Sequence, residues 1–229
     1  MTTATVPRDS GDAGAIGRVA GNAALLAASR IVSAGAIFGW QIALARVLGA
    51  HDYGLYGSIA ALMGIGAALV DPGVQIILVR DVARRPALRG RYLTAAAATH
   101  VVLALAVYAA LQIVARAGAY DARIATLLLL VGFNLAFDSL GTLAMNQFIA
   151  AERMRWPSVG SAVHALVLVG LGAGGVLLGG RLWWVYVAVA ITSAGRMVGF
   201  FAAAARQGWR IERPLDRALA RAILSAGLP

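Results

Sequence analysis

Six apolar stretches, each long enough to cross a bilayer and separated by short arginine-bearing breaks, constrain this chain more than any other feature. A hydrocarbon core of about 30 Å needs roughly twenty apolar residues of helix. Stretches near residues 19–46, 54–79, 92–115, 124–150, 158–179 and 183–205 satisfy that requirement when the charged breaks serve as punctuation. Backbone groups find no water in the membrane interior, so each stretch must satisfy its own hydrogen bonds as a helix. No segments of about ten alternating residues support a β-barrel instead. The fold class that follows is all-α: a polytopic membrane protein built as a six-transmembrane-helix bundle over 19–205, with short loops that force successive helices antiparallel. With 60% hydrophobic and 13% charged residues and a mean hydropathy of +0.78, a soluble globular fold is excluded.

The charge pattern sets the topology. All twenty basic residues are arginine and the formal net charge is +10, but the arginines flank apolar runs instead of forming a nucleic-acid surface. With the N-terminus inside, fourteen arginines fall on the cytoplasmic side and four (Arg46, Arg116, Arg123 and Arg181) on the other. The segment from Arg80 to Arg91 contributes five of the fourteen and reads as an anchor near anionic headgroups. Both termini are therefore expected in the cytoplasm and the chain in the cell inner membrane. Residues 1–18 are polar and without apolar periodicity, which predicts a disordered cytoplasmic tail and not a cleaved signal peptide. In residues 206–229 charge alternates with Ile211, Leu215 and Leu219 at i, i+4, i+8, as in an amphipathic cytoplasmic segment, here leading into a truncated seventh helix. The chain has no cysteine and no His-Glu-x-x-His, so thiolate nucleophiles and zinc-ligand spacing are absent, and no enzyme activity, metal or cofactor is expected.

Charges inside the spans need an explanation, since each costs about 2.5–3.5 kcal/mol at the bilayer centre on insertion scales. Four fall there: Arg30, Asp71, Asp138 and Arg196. Counting 1.5 Å per helical residue places Arg30 and Asp71 in the inner part of the membrane and Asp138 and Arg196 near the midplane, so depth permits the pairs Arg30–Asp71 and Asp138–Arg196. Such pairs serve as interhelical locks or line a cavity. The second use is favoured by Asn134, Asp138 and Thr142, which share one helical face at i, i+4, i+8, and by Thr192 four residues before Arg196. Arg30, Asp71, Asn134, Asp138 and Arg196 are the candidate substrate-binding or cavity residues. Pro72 and Gly73 after Asp71 predict a bend, either a static kink or a hinge. His100 and His164 lack a carboxylate at i+3 or i+4 and read as satisfied polar groups. Gly170 with Gly174, and Gly175 with Gly179, offer close helix approach. Trp183, Trp184, Tyr186 and Trp209 fit interfacial belts.

Four segments then carry a family resemblance. Asn22 and Arg30 precede ALARVLGAHDYGLYG (Ala43 to Gly57); VDPGVQIILVRDVAR runs from Val70 to Arg84; FIAAERMRWPSVGS runs from Phe148 to Ser161; and the chain ends in AILSAGLP. In this order and spacing the chain resembles the O-antigen-type polysaccharide and oligosaccharide flippases of the multidrug/oligosaccharidyl-lipid/polysaccharide exporter superfamily, closely over about 20–160 and loosely beyond. The resemblance implies one lobe of a two-lobe transporter and alternating access. Its implied partners are a lipid-linked oligosaccharide, whose pyrophosphate an arginine would grip, membrane lipids, and a missing C-terminal lobe or second copy. A drug or cation antiporter of the same superfamily, in which Asp71 or Asp138 exchanges a cation, is the alternative, along with a non-catalytic membrane half-transporter. A membrane glycosyltransferase would need larger external loops than this sequence has.

Overall fold

The computed structural model describes residues 10–118, 122–179, 182–209, 212 and 216–227, and every described element is helical. In chain order these are α1 (Ser10–Val70), α2 (Val74–Arg84), a 3-10 turn (Pro86–Leu88), α3 (Arg89–Ala117), α4 (Ala122–Ala150), α5 (Arg155–Leu177), α6 (Leu182–Arg206) and α7 (Arg217–Gly227). Five helices are long and apolar enough to cross a membrane: Ala23–Val70, Pro86–Ala117, Ala122–Ala150, Arg155–Leu177 and Leu182–Arg206. The expected count of six differs because the first two stretches lie in one element. The start of α1 at Ser10 also places helix within the expected tail, whose residues 1–9 lie outside the described residues.

Two glycines explain how the first two stretches are divided. Gly49 interrupts α1 with φ 73° and ψ 172°, outside helical space and in a region that side chains with a Cβ avoid. On either side of it, the chain packs at the same end of the bundle. Trp40 and Leu44 meet Val176 and Val185, whereas Leu55 and Ile59 meet Ala115, Ile124 and Leu182. The second expected stretch ends earlier than 79, at Val70. There Pro72 lacks an N–H and Gly73 turns left-handed at φ 92°, so the helix breaks and restarts as α2. This short helix is amphipathic, burying Val74, Leu78 and Val82 at i, i+4, i+8 while carrying Arg80, Asp81 and Arg84.

The antiparallel order of α3 to α6 follows the sequence expectation to within a few residues at each end. α4 is the central element, packed most extensively on α6 and α3. Its face contributes Leu128, Val131, Leu135, Leu143, Ala144 and Phe148 to successive layers of core. Close approach involving α5 uses a different glycine pattern from the one expected. No neighbouring atom comes within 4 Å of a Cβ placed on Gly170, Gly174 or Gly179, whereas Gly172 lies against the Trp40 ring and Gly175 against Trp184. Trp184 donates its indole N–H to the Leu171 carbonyl at 3.1 Å, and Tyr186 is buried at 4% exposure in the core, so neither is a simple interfacial anchor. α7 lies against α2 and α3, burying Ile223 with Leu219 and Ala220 beside it. Of the expected amphipathic set in the connection, Ile211 and Leu215 lie outside the described residues.

Candidate functional site

Where α1 breaks into α2 beside α4, a cavity of about 460 Å³ opens in the bundle. Asp71 and Gln75 line it from the break and from α2, and Asn134, Asp138, Ser139 and Thr142 from α4. Three of the five candidate residues, Asp71, Asn134 and Asp138, therefore share one chamber. The i, i+4, i+8 stripe brings Asn134, Asp138 and Thr142 to its wall because residues four apart stack on one helix face. The carbonyl oxygen of the Asn134 amide is buried with no hydrogen-bond partner.

Arg196 reaches this wall from behind. Its Nη2 donates to Asp138 Oδ1 at 2.7 Å, to the Asp138 carbonyl at 3.0 Å and to Thr142 Oγ1 at 3.0 Å. The arginine side chain is 13% exposed and the aspartate 48%, so the cation is sheathed between α4 and α6 while the carboxylate opens to the chamber. Arg196 itself lines a second, mostly apolar groove of about 760 Å³ between α5 and α6, with His164 and Thr192 beside it and Arg155 and Trp156 also in its lining. The Asp138–Arg196 pair thus stands in the partition between two spaces.

The other expected pair is not formed. Arg30 is exposed on α1, lines neither cavity and has no ion pair among the described residues. Asp71 is committed elsewhere. Its Oδ1 accepts the Gln75 backbone N–H at 3.2 Å, capping the first turn of α2 where Gly73 offers no side chain. The same oxygen lies 3.8 Å from Nε2 of His100, a fully buried ring whose Nδ1 is 2.9 Å from the Ala96 carbonyl. A carbonyl only accepts, so in that contact Nδ1 carries the hydrogen. Nε2 faces the carboxylate without a hydrogen-bond partner. His100 thus lies beside the chamber's aspartate, a proximity that spacing along one helix could not show. His164 Nδ1 sits 3.3 Å from the Thr192 carbonyl, and no cluster of three metal-ligating side chains occurs among the described residues.

A family model described as "Polysaccharide biosynthesis protein" matches residues 19–229. The chain belongs to the polysaccharide biosynthesis protein family. The match runs through the stretch beyond residue 160, where the motif resemblance is loose, and agrees with the flippase resemblance of the N-terminal motifs. No curated protein and no solved structure matches the chain. With five membrane-length helices, this polysaccharide biosynthesis protein is a multi-pass membrane protein.

Its helices also carry amides that sequence reasoning passed over, of which Gln75 lines the chamber. Gln75 accepts a hydrogen bond from the Asn146 side-chain amide, tying α2 to α4. Gln147, fully buried on the same helix, leaves both amide atoms unpartnered, as does Gln112 on α3. Amides inside apolar helices were the available signal, because an unsatisfied polar group away from water is costly. A search restricted to formal charges misses them.

Proposed function

We propose that this chain is part of a membrane flippase that moves a lipid-linked oligosaccharide across the cell inner membrane by alternating access. The observation that carries the reading is a chamber lined by carboxylates, amides and hydroxyls inside a helical bundle of the polysaccharide biosynthesis family. Sugar hydroxyls both donate and accept, and Asp71, Asn134, Asp138 and Thr142 present complementary groups where lipid would present none. Translocation needs no covalent step from the protein, and the reading assigns it no enzyme activity and no cofactor.

In this account the chain crosses the membrane six times, with both termini in the cytoplasm. The 48 residues of Ala23–Val70 would rise about 72 Å as one straight helix, more than twice the hydrocarbon thickness, and a reversal at the Gly49 kink would turn that length into two crossings. The arginine bias orients the ends of α3 and α5 that bear Arg89 and Arg155 inward.

Arg30 supports a second lobe, on the same polypeptide or a second copy. It lies on the least buried of the long helices. An arginine turned to hydrocarbon is expensive, so this face of α1 borders the aqueous path and a facing wall. With Arg196 already held by Asp138 and Thr142, Arg30 is the one of the two candidate arginines left to take the pyrophosphate bidentately. Pro72 and Gly73, next to the chamber, are the hinge that reshapes it as the lobes rock.

The test is translocation by the full-length protein in proteoliposomes loaded with a fluorescent lipid-linked oligosaccharide. Loss of inner-leaflet label to an external glycosidase supports the reading. A protein that leaves this lipid in place but exchanges cationic drugs for protons contradicts it in favour of the antiporter.

A further inference from the structure

At the arginine-rich end of the bundle, two cations share one aromatic ring. The Arg89 guanidinium lies 4.1 Å from the centre of the Trp209 ring and that of Arg153 lies 5.7 Å from it. The ring is held in place by Phe148, with centroids 4.9 Å apart, and Arg153 also donates to the Gln207 side chain. Trp209 is thus built into the junction of α3, α4 and the end of α6, and is more than an interfacial anchor. The chain reaches this arrangement through a reversal after α4, where Glu152 adopts a left-handed φ of 57° and the Arg153 N–H closes onto the Phe148 carbonyl at 2.9 Å. A non-glycine residue in that region costs about 1–2 kcal/mol, so tertiary contacts hold the turn.

Geometry places the two guanidiniums no more than about 10 Å apart, comparable to the Debye length of about 8–10 Å at 0.15–0.1 M salt, so they repel. The ring offsets part of that repulsion through its negative face. Arg80 pairs with Asp81, Arg91 with Asp216 and Arg196 with Asp138, and among the described residues neither Arg89 nor Arg153 forms an ion pair. Nearby acids are otherwise placed: Glu152 is exposed on the turn and the Glu212 carboxylate rests against Gly90. Arg89 Nε is buried without a hydrogen-bond partner, and the start of α3 has no side-chain cap.

We propose that Arg89, Arg153 and Trp209 form a binding site for a phosphate anion, supplied by the headgroup of an anionic phospholipid. A phosphodiester supplies negative charge beside the pair and accepts from the in-plane N–H groups at the ends of both guanidinium groups. The level fits a headgroup, because Arg89 and Arg155 stand at the starts of two membrane-length helices, where the apolar span gives way to the polar surface. The site lies outside the polar chamber and does not depend on which cargo, if any, crosses the membrane.

Two arms test it on the full-length protein. In the first, native mass spectrometry counts lipids retained from nanodiscs of phosphatidylglycerol and phosphatidylcholine. In the second, calorimetry measures inorganic pyrophosphate binding in micelles without anionic lipid. Wild-type protein is expected to retain phosphatidylglycerol about tenfold over phosphatidylcholine, the scale of one charge-assisted contact. R89Q/R153Q should abolish the preference, whereas R84Q/R85Q, which removes the same charge from exposed positions of α2 and its end, should keep it. W209L retains both charges, loses the platform and should weaken the preference, which guards against a misfolded double variant. Pyrophosphate binding that needs Arg89 and Arg153 without lipid preference would support the anion site with a soluble phosphate as its source. An equal loss in R84Q/R85Q, or retention unchanged in R89Q/R153Q, overturns the proposal.

Discussion

Arg196 places its terminal nitrogen 2.7 Å from the Asp138 carboxylate and 3.0 Å from the Asp138 backbone carbonyl, so one guanidinium clasps both the side chain and the helix that bears it. α4 and α6 come close enough there for a Cβ on Gly141 to lie 3.3 Å from the Met197 backbone. Removing either partner leaves an uncompensated charge in a low-dielectric setting. Arg196→Gln and Asp138→Asn should each lower unfolding stability in detergent by about 2 kcal/mol, and the double variant by less than their sum. A double-mutant cycle measures this, with a coupling of about 1 kcal/mol or more expected. Additive losses would show that the two groups do not depend on each other.

The break between α1 and α2 depends on a residue without a Cβ. Gly73 sits at φ 92°, and Gly73→Ala should cost about 1–2 kcal/mol. Asp71 acts at the same break through its cap on Gln75. Asp71→Asn keeps an acceptor for that N–H, whereas Asp71→Ala removes it, so alanine should destabilise by about 1 kcal/mol more than asparagine. Thermal unfolding of the purified variants checks both orderings.

Sequence periodicity was most informative where one helix face tells the whole story. The polar stripe Asn134–Asp138–Thr142 lines one chamber, and the equal depth of Asp138 and Arg196 is realised as a contact. Depth alone misled for Arg30 and Asp71, because distance along a helix does not specify which way a side chain turns. Asp71 is drawn into the helix break by the otherwise unsatisfied Gln75 N–H and comes to lie 3.8 Å from His100 of α3, and neither neighbour is adjacent in sequence. The same limit hid the Trp209 junction: an aromatic beyond a helix end looks like a belt residue until an arginine of α3 and one from the turn after α4 are seen on its ring.

The docking of α7 should respond to acid. Asp216 accepts the Leu219 N–H at 2.9 Å and pairs with Arg91 at 2.7 Å, and these contacts, the backbone hydrogen bond foremost, hold its carboxyl below the usual carboxylate range. A lowered folded value means that the contribution is complete above the ordinary carboxylate pKa and is lost as pH falls through the depressed one. Amide exchange in α7, corrected for its intrinsic pH dependence, should therefore quicken only on acidification through that window. Asp216→Asn should remove the pH step.

The absence of cysteine in this sequence makes site-directed labelling clean. Asn134→Cys and Thr142→Cys, facing the chamber, should react with a small water-soluble maleimide in intact membranes, whereas Leu143→Cys, fully buried in the core, should not. Equal protection of all three would mean that the chamber is closed to water throughout the cycle.

The central claim is that a lipid-linked glycan passes the chamber walled by Asp71, Asn134 and Asp138. Surface polysaccharide in a flippase-deficient host expressing the full-length gene tests it most directly. Combined Asn134→Leu and Asp138→Leu substitutions, which make that wall apolar, are predicted to reduce export at least about tenfold at matched protein level in the membrane, the scale of losing one or more polar contacts to the moving cargo. Undiminished export by that variant would contradict the account.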